Sequence, residues 1–214
     1  MSYKTEPKTF SFHEIIANSA THAVGIGLSI AGLVALIIQA VNVGDPWYLG
    51  GVVVFGISLI LLYLASTVYH STPRLKGNAL LQRLDHAAIL ILIAGTYTPF
   101  LLTKLRSTFG WITFGLVWGL ALATLVAKLV LTKTFVKPPV WLYVVMGWFA
   151  VLIFSQTMRE IGTASLVFLL VGGGFYTAGI LFYKWRKLPF SHAIWHLFVI
   201  GGSVFHFFSV MQLV

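Results

Sequence analysis

Two histidines one helical turn apart, His192 and His196 in "PFSHAIWHLF", stand at the start of the last long apolar stretch of this chain. Imidazole gains nothing from hydrocarbon, so a pair placed there calls for a polar partner. On a helix, residues i and i+4 leave one face with Cβ atoms about 5–6 Å apart, close enough for two rings to converge on one ion. Zinc takes histidine nitrogens at about 2.0–2.1 Å, and catalytic zinc sites use three protein ligands and keep one position open to water. The 214 residues contain no cysteine, so any metal must be held by His, Asp or Glu. For the same reason there is no disulfide framework and no thiol nucleophile.

The solvent that surrounds these residues follows from composition. Hydrophobic residues make up 58% of the chain and charged residues 9%, with a mean hydropathy of +0.93. A water-soluble domain carries about 25% charged residues, so an integral membrane protein is expected. The net charge of +9 does not point to nucleic acid, because the basic residues lie in short clusters between apolar runs. Such clusters suit cytoplasmic loops and anionic lipid headgroups. No short cleavable leader is expected at the N-terminus, whose first apolar run is long enough to be a retained span.

Seven apolar segments, roughly 22–41, 49–69, 84–103, 111–131, 140–157, 164–183 and 192–213, each come close to what a helix needs to cross a bilayer. The expectation is an all-α bundle of seven transmembrane helices over 22–214, preceded by a short cytoplasmic segment, 1–21. Residues 10–18 of that segment read as an interfacial helix. Pro46, Pro73, Pro138, Pro139 and Pro189 fall in connections, whereas Pro99 lies inside the third span and should kink it. "GLVWG" and "VGGGFYTAG" read as close helix-packing surfaces. With the N-terminus inside and the C-terminus outside, eleven of the fourteen Lys and Arg residues fall on the inner side, the arrangement that topology favours.

That topology puts several polar residues at one depth. His70 ends the second span, Asp85 and His86 begin the third, and His22 begins the first, all near the inner surface beside His192 and His196. His70 is the natural third zinc ligand, and Ser66, four residues earlier, shares its face. Asp85 is the only acidic residue in any of the seven segments, which makes it a functional candidate. Haem between His70 and His196 is an alternative, but paired histidines beside a carboxylate suit zinc better; a retinal Schiff base lacks a mid-membrane lysine. His206 stands apart, about 21 Å beyond His192 along the last helix, and is expected to make an interhelical hydrogen bond. His22 is expected to join a polar network with Glu14 and Asn18, His86 to face headgroups, and His13 to be interfacial.

"EIIANSATHAVG", "LASTVYHSTP", "LDHAAILILIAGTYTPF" and "PFSHAIWHLFVIGGSVFHFF" resemble successive signatures of the bacterial haemolysin III family. That family is grouped with the progestin and adipoQ receptors and, more widely, with alkaline ceramidases. The resemblance implies a seven-helix protein of the bacterial plasma membrane with zinc on His70, His192 and His196, Asp85 holding or activating the zinc-bound water, and Ser66 nearby. Two functions follow as expectations: zinc-assisted hydrolysis of a lipid amide or ester with Asp85 as general base, or a non-catalytic sensor or regulator of membrane lipids braced by zinc. Membrane lipids are the expected ligands, with a protein partner conceivable at the cytoplasmic face. Pore formation, suggested by the family name, is least favoured, since the outer halves of the spans lack the polar residues a pore lining needs.

Overall fold

The computed structural model describes residues 10–72, 78–130, 140–153 and 160–214. Among these residues lie seven helices: α1 (Phe12–Val43), α2 (Pro46–Ser71), α3 (Asn78–Leu102), α4 (Thr108–Val130), α5 (Val140–Ile153), α6 (Thr163–Lys184) and α7 (Ser191–Met211). Six of them are long and apolar enough to cross a membrane, and α5 is shorter. Lys4, Lys8, Arg74, Lys76, Lys133, Lys137 and Arg159, on which the orientation argument leans, lie outside the described residues. So do Pro73, Pro138, Pro139 and the last part of the fifth expected segment.

The outer surface is that of a protein meant for lipid. On α1, Val24, Leu28, Val34, Ile38 and Val41 are exposed, and on α4 so are Trp111, Ile112, Leu116, Leu122 and Val126. In water such a continuous apolar surface would drive association. Polar side chains instead turn inward: Ser58, Ser66, Thr98, Thr113, Ser165 and Ser209 are buried. Between helices in lipid, close packing and hydrogen bonds replace the hydrophobic drive. Thus Tyr48 donates to the Val210 carbonyl at 3.1 Å and Gln39 to the Met211 carbonyl at 2.9 Å, fastening the far ends of α1 and α2 to that of α7. Tyr97 reaches from α3 to the Met146 carbonyl of α5 at 2.7 Å.

The helix ends follow local rules. Ser11 and Glu14 form a reciprocal capping box at the start of α1, and Gly44, at φ 77°, closes it in the left-handed conformation. The short helix expected over 10–18 is the first part of α1 itself, which runs 32 residues. At 1.5 Å per residue that is about 48 Å, well beyond a hydrocarbon core of about 30 Å. Pro46 is the first residue of α2, capped by Asp45, and not part of a connection. α3 continues past Pro99 to Leu102, and α2 comes so close there that a Cβ on Gly51 would meet the Pro99 backbone.

Two sequence readings of packing need correction. Gly115 and Gly119 have no neighbour within 4 Å of where a Cβ would stand. The buried stripe of α4 is Gly110, Thr113, Val117, Ala121, Thr124 and Lys128, which leaves both glycines on the opposite face. That stripe also holds Lys128, one of the basic residues counted on the inner side, which is buried in the last turn of the helix. In "VGGGFYTAG" the expectation holds for Gly172, Gly173 and Gly179, which abut His206, Trp148 and Trp195 respectively, and not for Gly174.

Candidate metal centre

His70 sits in the last turn of α2, and His192 and His196 in the first turns of α7. The three rings meet: the centroids of His70 and His192 are 4.8 Å apart, those of His70 and His196 5.2 Å, and those of His192 and His196 4.5 Å. One nitrogen from each lies within 4.8 Å of the others, a group that can hold a metal ion. The Nε2 atoms of His70 and His192 are 3.1 Å apart. Two ligands of a tetrahedral zinc at about 2.05 Å would stand ~3.3 Å apart, so this pair already has the needed separation. His70 and His196 are buried and His192 is half-buried.

The third ring is oriented from α1. His196 Nδ1 lies 3.0 Å from the main-chain oxygen of Asn18 and 3.1 Å from Thr21 Oγ1. A carbonyl only accepts, so Nδ1 carries the proton and Nε2 presents its lone pair. Thr21 Oγ1 has its own proton committed to the carbonyls of Ala17 or Asn18, at 2.8 and 3.0 Å, and therefore accepts from His196 as well. A backbone carbonyl behind a histidine is the usual device for fixing tautomer and ring angle at a metal.

His22 departs from its expectation. Glu14 bonds the amides of Ser11 and Phe190 at 3.0 and 3.1 Å, and among the described residues no hydrogen bond reaches either ring nitrogen of His22 or the side chain of Asn18. Instead the His22 ring stacks on His196 at 3.5 Å and 21°. It also meets the edge of Tyr63 at 5.0 Å, and the Tyr63 hydroxyl is held by Ser203 at 2.7 Å. Gly25 makes room for that ring, since a Cβ there would collide with Tyr63. Phe10 lies over the cluster, 6.2 Å from His70 and 5.5 Å from His192.

Asp85 and Ser66 share a cavity wall with His22, His192 and His196. This cavity, of about 210 Å³, runs from there past Ile89, Leu92 and Val199 to Phe100, Leu101 and His206. His86 also lines it, where headgroup exposure was expected. His13 is exposed near the start of α1, with the Phe12 ring 6.1 Å away. His206 makes the expected interhelical bond, Nε2 to the Leu169 carbonyl of α6 at 3.2 Å.

Sequence reasoning gave one contributor the wrong partner and missed another. One is Glu14, whose carboxylate ties the start of α1 to the Phe190 amide at the entry of α7. The other is Tyr63, which backs His22. The Glu14–Asn18–His22 spacing put Glu14 on the face that meets the site, whereas nothing in the sequence pointed to Tyr63.

Comparison with known proteins agrees with this architecture. The family described as "Haemolysin-III related" matches residues 10–207. A hemolysin-3 homolog of Bacillus subtilis (strain 168) is 45% identical over 202 residues, covering 94% of this chain and 95% of that protein. The hemolysin-3 of Bacillus cereus is 42% identical over 211 residues, covering 99% and 96%. More distantly, the human monocyte to macrophage differentiation factor is 28% identical over 212 residues, covering 94% and 84%. Apolar helices in this order, an internal histidine cluster and a match along nearly the whole length lead to one assignment: the chain belongs to the haemolysin-III-related family of multi-pass membrane proteins.

Proposed function

We propose that the protein crosses the bacterial plasma membrane seven times with its N-terminus inside, binds zinc through His70, His192 and His196, and hydrolyses an amide or ester of a membrane lipid as part of lipid homeostasis. The single observation that carries this reading is the convergence of three histidine nitrogens within 4.8 Å of one another, two of the three residues lining an apolar cavity shared with Asp85 and Ser66. An ion held there supplies Lewis acidity and brings the pKa of water toward ~7. The residues do the rest. Asp85 takes the proton from the attacking water and returns it to the leaving amine or alcohol. Ser66, whose hydroxyl is buried beside the same cavity, donates to the carbonyl oxygen of the substrate. Leu92, Ile93, Leu101 and Val199 hold the acyl chain and keep bulk water out.

The test is purified protein, wild type and His196→Ala, analysed for bound zinc and then incubated with acyl amides and acyl esters in mixed micelles. We expect about one zinc per chain, lost in the variant, and cleavage only by the zinc-loaded wild type. Intact lipids after prolonged incubation with fully loaded protein refute the hydrolase reading.

One observation favours a second reading, in which zinc is structural and the protein senses lipids. His70 comes from α2 and the other two ligands from α7, helices that both pack on α1, so an ion would brace the bundle across α1. A lipid that binds two packings unequally would then shift the bundle between them, with a protein partner at the cytoplasmic face reading the change. Asp85→Asn separates the readings: it abolishes hydrolysis yet spares a sensor that keeps its zinc. Direct pore formation finds little support in a cavity lined by Leu92, Ile93, Phe100 and Leu101.

A further inference from the structure

The cavity has a polar feature at its other end that hydrolysis does not use. His206 is 8% exposed and forms part of the cavity wall. Its ring is wedged against α6, where a Cβ on Gly172 would run into it. Nε2 faces the Leu169 carbonyl at 3.2 Å, and because that oxygen can only accept, Nε2 carries the proton. In the neutral ring Nδ1 is then a bare acceptor. It is buried and has no hydrogen-bond partner among the described residues. Tyr176 lies beside it, ring centroids 5.2 Å apart, but the Tyr176 hydroxyl is taken by Ser203 at 2.7 Å.

A buried acceptor without a partner is costly in an apolar setting, and it discriminates for whatever supplies a donor. His206 lies ten residues beyond His196 on one helix, an axial rise of about 15 Å. A hydroxyl at the middle of a long acyl chain whose head group lies at the histidine cluster comes within that reach.

We propose that His206 is a recognition site for a hydrogen-bond donor carried on the acyl chain, so that the cavity prefers mid-chain hydroxylated acyl groups over plain ones. This rests on the reading that the cavity holds an acyl chain, and it holds whether or not the lipid is cleaved. Nδ1 accepts from the chain hydroxyl, while the Leu169 carbonyl keeps the ring in the tautomer that makes this possible.

Binding decides it. The full-length protein in detergent is titrated with stearate, 12-hydroxystearate and 2-hydroxystearate, followed by its tryptophan fluorescence and by native mass spectrometry. The expected result is about tenfold tighter binding of 12-hydroxystearate than of the other two, the fold-change of one satisfied buried hydrogen bond. His206→Phe should bind all three alike, at about the wild-type affinity for stearate. Should that variant fail to fold, the wild-type preference decides alone, together with Tyr176→Phe, which leaves His206 in place and should keep it. Equal binding of the three acids by wild type overturns the inference and leaves the acyl-cavity reading standing. Absence of binding by all three overturns both.

Discussion

Asn18 offers the sharpest test of how the histidine cluster is held. Its side chain is fully buried, and neither Oδ1 nor Nδ2 has a hydrogen-bond partner among the described residues. Its main-chain oxygen, by contrast, holds His196 Nδ1 at 3.0 Å. Backbone and side chain therefore make opposite contributions, and Asn18→Leu separates them. The substitution keeps the branched shape while removing two unsatisfied polar atoms, each costing about 1–3 kcal/mol. Fitting the bulkier methyl groups into a fully buried site returns about 1–3 kcal/mol of that gain. A net stabilisation of about 2 kcal/mol is expected. For a chain of this size each kcal/mol moves Tm by about 2–4 °C, so the midpoint should rise by roughly 4–8 °C. The seven tryptophans make intrinsic fluorescence in detergent a direct readout. Bound metal should stay at the wild-type level, since the carbonyl that orients His196 survives. A fall in Tm would refute the reasoning, because it would mean that the carboxamide has a partner worth more than its burial costs. Loss of metal at unchanged Tm would refute the orienting role of the carbonyl.

Further outcomes follow from the same geometry. Stripping metal with a chelator should lower Tm by roughly 5–10 °C if zinc had been present at about 100 times its Kd, a stabilisation of about 2.7 kcal/mol; an unchanged midpoint argues against a bound ion. Gly25→Val drives a side chain into the Tyr63 ring and through it disturbs His22 and His196, so zinc affinity should drop by about 10–100-fold. Gly27→Val, with nothing within 4 Å, is the control and should bind zinc like wild type in a chelator competition. Glu14→Ala removes the bonds to the Ser11 and Phe190 amides and should cost about 1 kcal/mol of stability. It should also weaken zinc binding measurably, because α7 begins one residue beyond Phe190.

Much of the arrangement was legible in the sequence, and the reasons differ from residue to residue. Helix positions followed from apolar run length, because a backbone in lipid must satisfy its own hydrogen bonds and a helix does so locally. His70, His192 and His196 could be brought to one depth by counting from the span ends, since rise per residue is fixed. What counting cannot give is rotation. Gly115 and Gly119 fit the spacing of a packing surface, yet that spacing does not say which face is buried, and theirs is the lipid side. His22 lay at the right depth too, but whether it stacks, ligates or hydrogen-bonds depends on ring angles set by Tyr63 and His196. The bond from Glu14 to Phe190 spans 176 residues, and the cavity is walled by residues of α1, α2, α3, α5, α6 and α7 together.

α1 supplies none of the three clustered histidines, yet it fixes more of the site than either helix that does. Its carbonyl at Asn18 and hydroxyl at Thr21 set the tautomer of His196, and its His22 fixes the plane of that ring. Glu14, one turn before Asn18, holds the residue from which α7 departs. Phe190 is there at φ 56°, the only non-glycine residue with positive φ among those described, a backbone conformation that costs about 1–2 kcal/mol. A strained entry persists only when its surroundings over-determine it, and Glu14 is part of that surrounding. The first turns of α1 thus set both where α7 starts and how its second histidine is turned. A helix without those turns would leave His196 without the partners that aim it.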